Sequence, residues 1–529
     1  MQAEFPFSRQ ERLRAWVARL PWILAGSLLL LISLRLAVPA VGVLRDDGIY
    51  LSSARALASG KGYVIDILPG EPPNTKYPPL TSLLITPLFA AGLDPIQHPA
   101  AFKAVPFLFL VVWLSGLRRL GLLVGLGTEC VGWVIACTTA SAWVAYCGTM
   151  IMSDIPAAAL ITWGMVFMLR PLQDRGAPLG WTAAAALLLG LAFLTRTHAA
   201  AAVAGTALFL LARRDFVRLV LLCGICLLLA APWLWWVSAI LAPQDPVMQY
   251  YSAQNYRDWW AWKAGGITRW LEVAVLNFAM FLASPSQSIA LGAPILGSIA
   301  FAPVLVLAAR SARLPQMQMI LHALLAPTAA ALLWQWRPMR LLLFVFPLVW
   351  MAAFGSGGRL GRRFLTVLAL LFCLRGLWLQ GYQVRLAYQD RNPPLFVNRA
   401  DSWDKLRQVA GWLAKQTAPG ETIGTLHDGA LPLLSGRKAL FPVVLRPFAL
   451  TYGGGGEPLG TPGELAAALR RLGIRFVAQT PSLLFAEAEP FRHLIEMLRE
   501  SPDGCMRLAA DLGDGYQIYE FTCLDRPSR

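Results

Sequence analysis

The chain has 529 residues, 57% of them hydrophobic and only 14% charged, with a mean hydropathy of +0.54. Soluble domains of this size carry closer to a quarter charged residues, so the composition excludes an ordinary soluble enzyme and indicates a polytopic membrane protein. The formal net charge of +16 does not signal a nucleic-acid partner, because many Lys and Arg residues lie in short connections between apolar segments, where they set orientation in a membrane.

The basic N-terminal run SRQERLR at 8–14 precedes an apolar segment at 18–39. This segment is too long for a signal-peptide core and reads as a retained first span with a cytoplasmic start. The stretch that follows, Leu44 to Leu80, is unusually dense in function-bearing residues. Asp46 and Asp47 stand where the first span leaves the lipid; an amphipathic stretch, a Gly/Pro-rich turn region and Lys76-Tyr77-Pro78-Pro79 follow. Acid, cation and aromatic groups held at a bilayer boundary suit a substrate with a polar head, and this first loop spans 41–98.

Further apolar segments fall at 100–117, 122–150, 152–169, 217–239, 289–309, 317–335, 339–354 and 362–382. The long run 181–212 is interrupted at Thr195-Arg196-Thr197-His198 and reads as two short spans. That division puts every internal arginine cluster on the cytoplasmic side and gives about eleven spans. It also puts Ser153-Asp154, Arg196 and the Arg337-Pro338-Met339-Arg340 segment on the same outer face as the first loop. Any one of these charges can merely anchor a helix end by snorkelling. Together they form a set of carboxylates and guanidiniums suited to an anionic, lipid-attached substrate, since planar guanidiniums bind phosphate through paired hydrogen bonds. Residues 240–288 read as an aromatic interfacial loop, with Tyr250, Tyr251, Tyr256, Trp259, Trp260 and Trp262 among Arg257, Asp258 and Lys263.

From 383 to 529 the composition becomes that of a separate soluble unit. Strand-like runs at 421–426, 474–479, 506–511 and 516–521 alternate with helical patterns beginning at Thr461 and Leu484, an α/β arrangement. His427-Asp428 at a loop start reads as structural, and Gly453 to Gly456 as a flexible turn. Cys130, Cys137, Cys147, Cys223, Cys226 and Cys373 lie in apolar spans and read as packing groups. Cys505 and Cys523 are equidistant from the turn at Asp514, which places them opposite one another in a hairpin and predicts a disulfide in an extracytoplasmic tail.

These motifs as a set resemble the polytopic lipid-linked glycosyltransferases of the GT-C architecture. Within them, the nearest likeness is to the glycosyltransferase 39/83-like group of protein mannosyltransferases and lipid A aminoarabinose transferases. The match lies in Asp46-Asp47, Tyr50, Ala54, Leu57, Gly60 and Lys76-Tyr77-Pro78-Pro79-Leu80. It continues in Ser153-Asp154-Ile155-Pro156, in Gly190 to Arg196, and in Arg340 to Pro347, where Leu341 replaces the tyrosine of the family signature. The resemblance covers roughly 20–360 and implies a transmembrane GT-C unit over 1–382 with a C-terminal extracytoplasmic α/β domain over 383–529. It implies a polyprenyl-phosphate sugar donor, an envelope acceptor, and a site on the outer face of a bacterial inner membrane. Carried over, Asp46 or Asp47 is the base, with Asp154 as a further catalytic carboxylate. Lys76, Tyr77, Arg196, Arg340 and Arg337 become candidates for binding the donor.

The chemistry agrees from the other direction. Sugar transfer from a phosphate needs a carboxylate to ready the attacking oxygen and cations to stabilise the departing phosphate. One displacement inverts the anomeric centre. The sequence requires no metal or other cofactor, although Asp47 with Asp154 offers a pair that could hold a divalent cation. A transporter or flippase of lipid-linked glycans, or a scaffold of an envelope complex, is the competing reading. Charge concentrated on one face argues for surface chemistry over a path through the membrane.

Overall fold

The computed structural model describes residues 9–173, 178–255, 261–289, 294–334, 340–389, 391–392, 401–446, 450, 459–481, 487–501 and 504–524. Among these residues four helices are long and apolar enough to cross a membrane: Ala18–Ala37, Pro99–Leu123, Phe216–Ala239 and Arg359–Tyr388. Shorter apolar helices lie between them, including Gly180–Thr195, Gln318–Leu332 and Val345–Ser356. The outer surface is what a lipid contact requires. On helix Phe216–Ala239, Leu228 is 74% exposed and Trp235 69%, a cost that water would impose and lipid does not.

The run 181–212 divides at Arg196, whose extended backbone (φ −155°, ψ 124°) ends helix Gly180–Thr195 before a short turn leads into helix Ala200–Ala212. Two other expectations are corrected. The segment 122–150 is not one continuous span: helix Thr128–Ala140 stops at the extended Ser141 and resumes as Ala142–Cys147. The break is stabilised from outside, since Gln380 Nε2 donates to the Thr139 carbonyl at 2.6 Å. Gly376 lets helix Arg359–Tyr388 approach there, because a Cβ on it would lie 2.7 Å from that of Ala140.

The second correction concerns 240–288, expected as an interfacial loop. A short helix, Pro246–Gln249, is capped by Asp245, and Ala261–Ile289 is helical with a break at Gly265-Gly266, where Gly266 takes φ +66°. Beyond that break Ile267, Leu271, Val275 and Phe278 recur at helical spacing on the exposed face, while Val273, Asn277 and Phe281 are buried. The periodic apolar stripe, rather than the aromatic start of the segment, decides its structure. Tyr256, Arg257, Asp258, Trp259 and Trp260 lie outside the described residues.

The C-terminal part contains a five-stranded sheet in the order Lys438–Leu440, Thr422–Thr425, Phe476–Gln479, Gln517–Phe521, Met506–Asp511. The first three strands are mutually parallel, and each of the last two runs antiparallel to the strand before it in that order. Helix Pro462–Arg471 begins in a capping box between Thr461 and Glu464, and its apolar residues Leu465 and Leu469 are buried. Helices Trp403–Gln416 and Ala488–Glu500 likewise bury one face. Cys505 and Cys523 are joined by a disulfide. A bulge between Leu508 and Ala510 makes the hairpin less symmetric than the sequence spacing indicates. On the cysteine side of the bulge the Cys505 carbonyl accepts from Thr522 N, and the bridge runs to the next residue.

Candidate active site

Helix Arg45–Ala58 lies immediately after the first span, and its first turn carries both candidate bases. Successive side chains on a helix point about 100° apart, so the two carboxylates enter different surroundings. Asp46 Oδ1 accepts from the Tyr77 hydroxyl at 2.6 Å, and its Oδ2 accepts from Arg340 Nη2 at 2.9 Å. Burial pushes the Asp46 carboxyl up. Arg340, the Tyr77 hydroxyl, Arg196 and Lys76 outweigh that and hold it well below the usual carboxylate range. Asp47 is fully buried, and its Oδ2 accepts from the Gly42 amide at 2.8 Å. Burial pushes its carboxyl up to about 7, against the opposing pull of Lys103 and the Gly42 and Ile151 amides.

The same Arg340 Nη2 lies 3.0 Å from Asp154 Oδ2, which also accepts from Arg196 Nη1 at 2.7 Å. Arg196 Nη1 is 3.2 Å from Ser153 Oγ, which in turn accepts from the Tyr50 hydroxyl at 2.8 Å. Asp154 is 1% exposed at its side chain, whereas Asp46, Arg340 and Arg196 retain 21%, 23% and 17%. The buried carboxylate thus fixes two guanidiniums from behind, and Asp46 shares the partly open side with them.

Lys76 is 3% exposed and donates from Nζ to the Tyr250 carbonyl at 2.7 Å. Its ammonium lies 3.8 Å from the centre of the Tyr250 ring and 5.6 Å from that of Tyr77. Burial lowers the Lys76 pKa to about 7, although Asp46 pulls it back up. The turn that presents Lys76 and Tyr77 is built by Asn74, whose side-chain oxygen accepts from both backbone amides at 3.2 and 3.1 Å.

The fold therefore gathers Asp46, Tyr77, Asp154, Arg196 and Arg340 into one contiguous network with Lys76 close to Asp46. Asp47 is turned out of this network, and Arg337 lies outside the described residues. Tyr50 and Ser153 belong to the network as well. Both stand in the motifs that drew attention to their neighbours, but neither residue type marks a site without its partners. Among the described residues no group of three or more His, Cys, Asp or Glu side chains is arranged to hold a metal ion.

No family model matches the chain, and no curated protein matches it by sequence. Similarity appears at the level of solved structures. The archaeal oligosaccharyltransferase AglB from Archaeoglobus fulgidus, in complex with an inhibitory peptide and a dolichol-phosphate, matches with a TM-score of 0.52. That match covers 86% of this chain and 69% of the other at 11% identity. The Archaeoglobus fulgidus oligosaccharyltransferase in complex with Zn and sulfate matches with a TM-score of 0.54, covering 86% of this chain and 67% of that one at 13% identity. The chain has the GT-C fold. ArnT from Cupriavidus metallidurans, bound to undecaprenyl phosphate, is aligned over 94% of this chain and 97% of its own at 16% identity, with a TM-score of 0.44. In this GT-C fold the first-loop helix, the start of helix Asp154–Gln173, the break at Arg196 and the segment at Arg340 meet at the site just described.

Proposed function

We propose that this protein transfers a sugar from a polyprenyl-phosphate-linked donor to a hydroxyl of an envelope acceptor, at the extracytoplasmic face of a bacterial inner membrane. The observation that carries this reading is the placement of the Asp46 carboxylate beside two guanidiniums, Arg340 and Arg196, anchored by the buried Asp154. The dolichol-phosphate held by the archaeal GT-C neighbour supports a lipid-phosphate donor.

In this reaction the acceptor oxygen attacks the anomeric carbon, and the carbon–oxygen bond to the phosphate breaks with its electron pair leaving on the phosphate oxygen. The acceptor proton passes to Asp46, and the products are the glycosylated acceptor and the polyprenyl phosphate. A carboxylate held as low as Asp46 is a weak base. An incoming phosphate competes for Arg340 and Arg196, and each contact it draws away from Asp46 returns basicity to that carboxylate. Donor binding thereby readies the base, and the same guanidiniums stabilise the charge that develops on the leaving phosphate. Asp47, turned to the Gly42 amide, supports the helix start rather than the reaction. Asp154 positions both arginines.

A transmembrane unit over 1–382 and a soluble unit over 383–529, on the outer side, fit this scheme. Purified protein incubated with extracted lipids and defined polyprenyl-phosphate pentose or hexose donors tests it. Release of polyprenyl phosphate coupled to a glycosylated acceptor supports transfer. Movement of intact lipid-linked sugar across a vesicle bilayer with no bond broken would instead make it a transporter.

A further inference from the structure

Arg45 precedes Asp46 and stands in the first turn of its helix, where the positive end of the helix dipole disfavours a cation. The helix alone does not explain it; the C-terminal part does. Arg45 Nε donates to Asp428 Oδ2 at 2.7 Å, its Nη1 donates to the Tyr250 hydroxyl at 2.6 Å, and Glu487 Oε1 lies 3.9 Å from Nη1. The guanidinium sits over the Tyr250 and Phe441 rings at 4.7 and 5.1 Å. Tyr251 also donates its hydroxyl to Asp428 and accepts from the Phe441 amide at 2.9 Å. Arg45 and Asp428 are 6% and 1% exposed at their side chains.

Backbone meets backbone beside this ion pair. A Cβ on Gly48 would lie 2.3 Å from Gly429 Cα, and a Cβ on Gly429 would lie 2.5 Å from the Gly42 carbonyl oxygen. Gly42 also takes φ +68°, a conformation that only glycine adopts without strain. Further along, the Ala439 amide of the edge strand donates to the Ile67 carbonyl at 3.0 Å, and Lys438 pairs with Glu71 at 2.7 Å. Ile67 follows Asp66, which binds Arg55 near the other end of the same helix at 2.8 Å.

We propose that the turn His427-Asp428-Gly429 positions the base: it seats the first turn of helix Arg45–Ala58 and fixes the rotation at which Asp46 meets Arg340 and Tyr77. The inference rests on the transferase reading for the role of Asp46. Arg45, Asp428 and Gly429 are positioning residues that act through Asp46. The leverage is large. A side-chain tip about 6 Å from a helix axis moves about 2 Å when the helix rolls by about 20°. A displacement of about 1 Å is enough to cost on the order of 100-fold in a positioned reaction.

Hydrogen exchange of the full-length protein tests the seat without any substrate, comparing wild type with Asp428→Asn and Gly48→Ala. The second variant opens the same contact from the opposite side and keeps both charges. Both should speed exchange across 42–52 by about tenfold or more, with the strand Phe476–Gln479 unchanged. Exchange across 42–52 equal to wild type in both variants overturns the proposal. Turnover of a polyprenyl-phosphate sugar supplies the second readout. In either variant kcat should fall by about tenfold or more, donor KM should stay within about threefold, and the acid limb of the pH profile should move up as Asp46 loses its partners. A lower kcat with an unmoved acid limb means fewer active molecules, and that result also overturns the positioning role. Wild-type protein without turnover would sink the transferase reading, while the exchange result would still decide the seat.

Discussion

Tyr77 donates its hydroxyl to Asp46 across 2.6 Å, which ties the Lys76-Tyr77 turn of the first loop to the loop's beginning. The contact stabilises the charged form of Asp46, since a hydrogen bond to a carboxylate lowers its pKa. Removing it in Tyr77→Phe should raise the Asp46 pKa and shift the acid limb of the pH–rate profile to higher pH. Loss of a hydrogen bond to a charged group should also cost about 1.5–3 kcal/mol of folding stability near neutral pH. Paired pH–rate and thermal-unfolding measurements on wild type and Y77F check both.

Lys76 gives a second pH dependence with a definite sign. Its pKa is lowered by burial to about 7, and a phosphate placed beside the ammonium would raise it. Donor binding then takes up a proton, so affinity for a polyprenyl-phosphate sugar should weaken as pH rises above about 7, at up to about tenfold per pH unit. In Lys76→Arg the charge persists across the range and the slope should vanish. Donor titrations between pH 6 and pH 9, a span of roughly the width such a transition needs, distinguish the two proteins.

Asp154→Asn removes the carboxylate that Arg196 and Arg340 share, while Arg340 keeps its contact with Asp46. Breaking a fully buried pair costs about 3–5 kcal/mol and an exposed one about 0–1 kcal/mol, so the loss at these partly open arginines should fall between the two. The transmembrane part should melt at lower temperature, and donor binding should weaken because Arg196 and Arg340 lose their common anchor. A stability equal to wild type would mean that the arginines find another partner.

Much of this site was legible because its residues stand in local motifs. Asp46, Asp154 and Arg196 stand at helix ends, Lys76 in a polar turn of the first loop and Arg340 just ahead of an apolar run, and charge parity puts them on one face. The division at Arg196 was legible for the same reason. Adjacent acids look alike in a string, however, and only the rotation of the helix sends Asp46 to Arg340 and Asp47 to the Gly42 amide. The contact of Arg45 with Asp428 spans most of the chain and leaves no local pattern at either end. His427-Asp428 reads as structural in the sequence, and the acid of that pair binds Arg45 of the first loop. The helix from 261 to 289 was obscured by its aromatic approach, although Ile267, Leu271, Val275 and Phe278 carry its period.

The disulfide between Cys505 and Cys523 closes a short loop at the end of the sheet. In the chain-entropy picture such a bridge contributes about 3 kcal/mol to the unit that contains it. Protein isolated without reductant should yield one cross-linked peptide pair joining 505 and 523 on mass mapping. Cys505→Ser should lower the unfolding temperature of the C-terminal unit. Two alkylatable thiols in the isolated protein would contradict the bridge and remove its support for an extracytoplasmic location of the unit.

The proposal that Asp46 is the base of a sugar transfer is tested most directly by single-turnover transfer from a polyprenyl-phosphate sugar in wild type and Asp46→Asn. The substitution keeps size and shape, and an asparagine still faces Arg340 and Tyr77, but it accepts no proton. Transfer should fall by about 100-fold or more while the donor remains bound, as the loss of a general base requires. Transfer at close to the wild-type rate in folded, donor-binding Asp46→Asn would contradict the account, whatever the same substitution at Asp47 does.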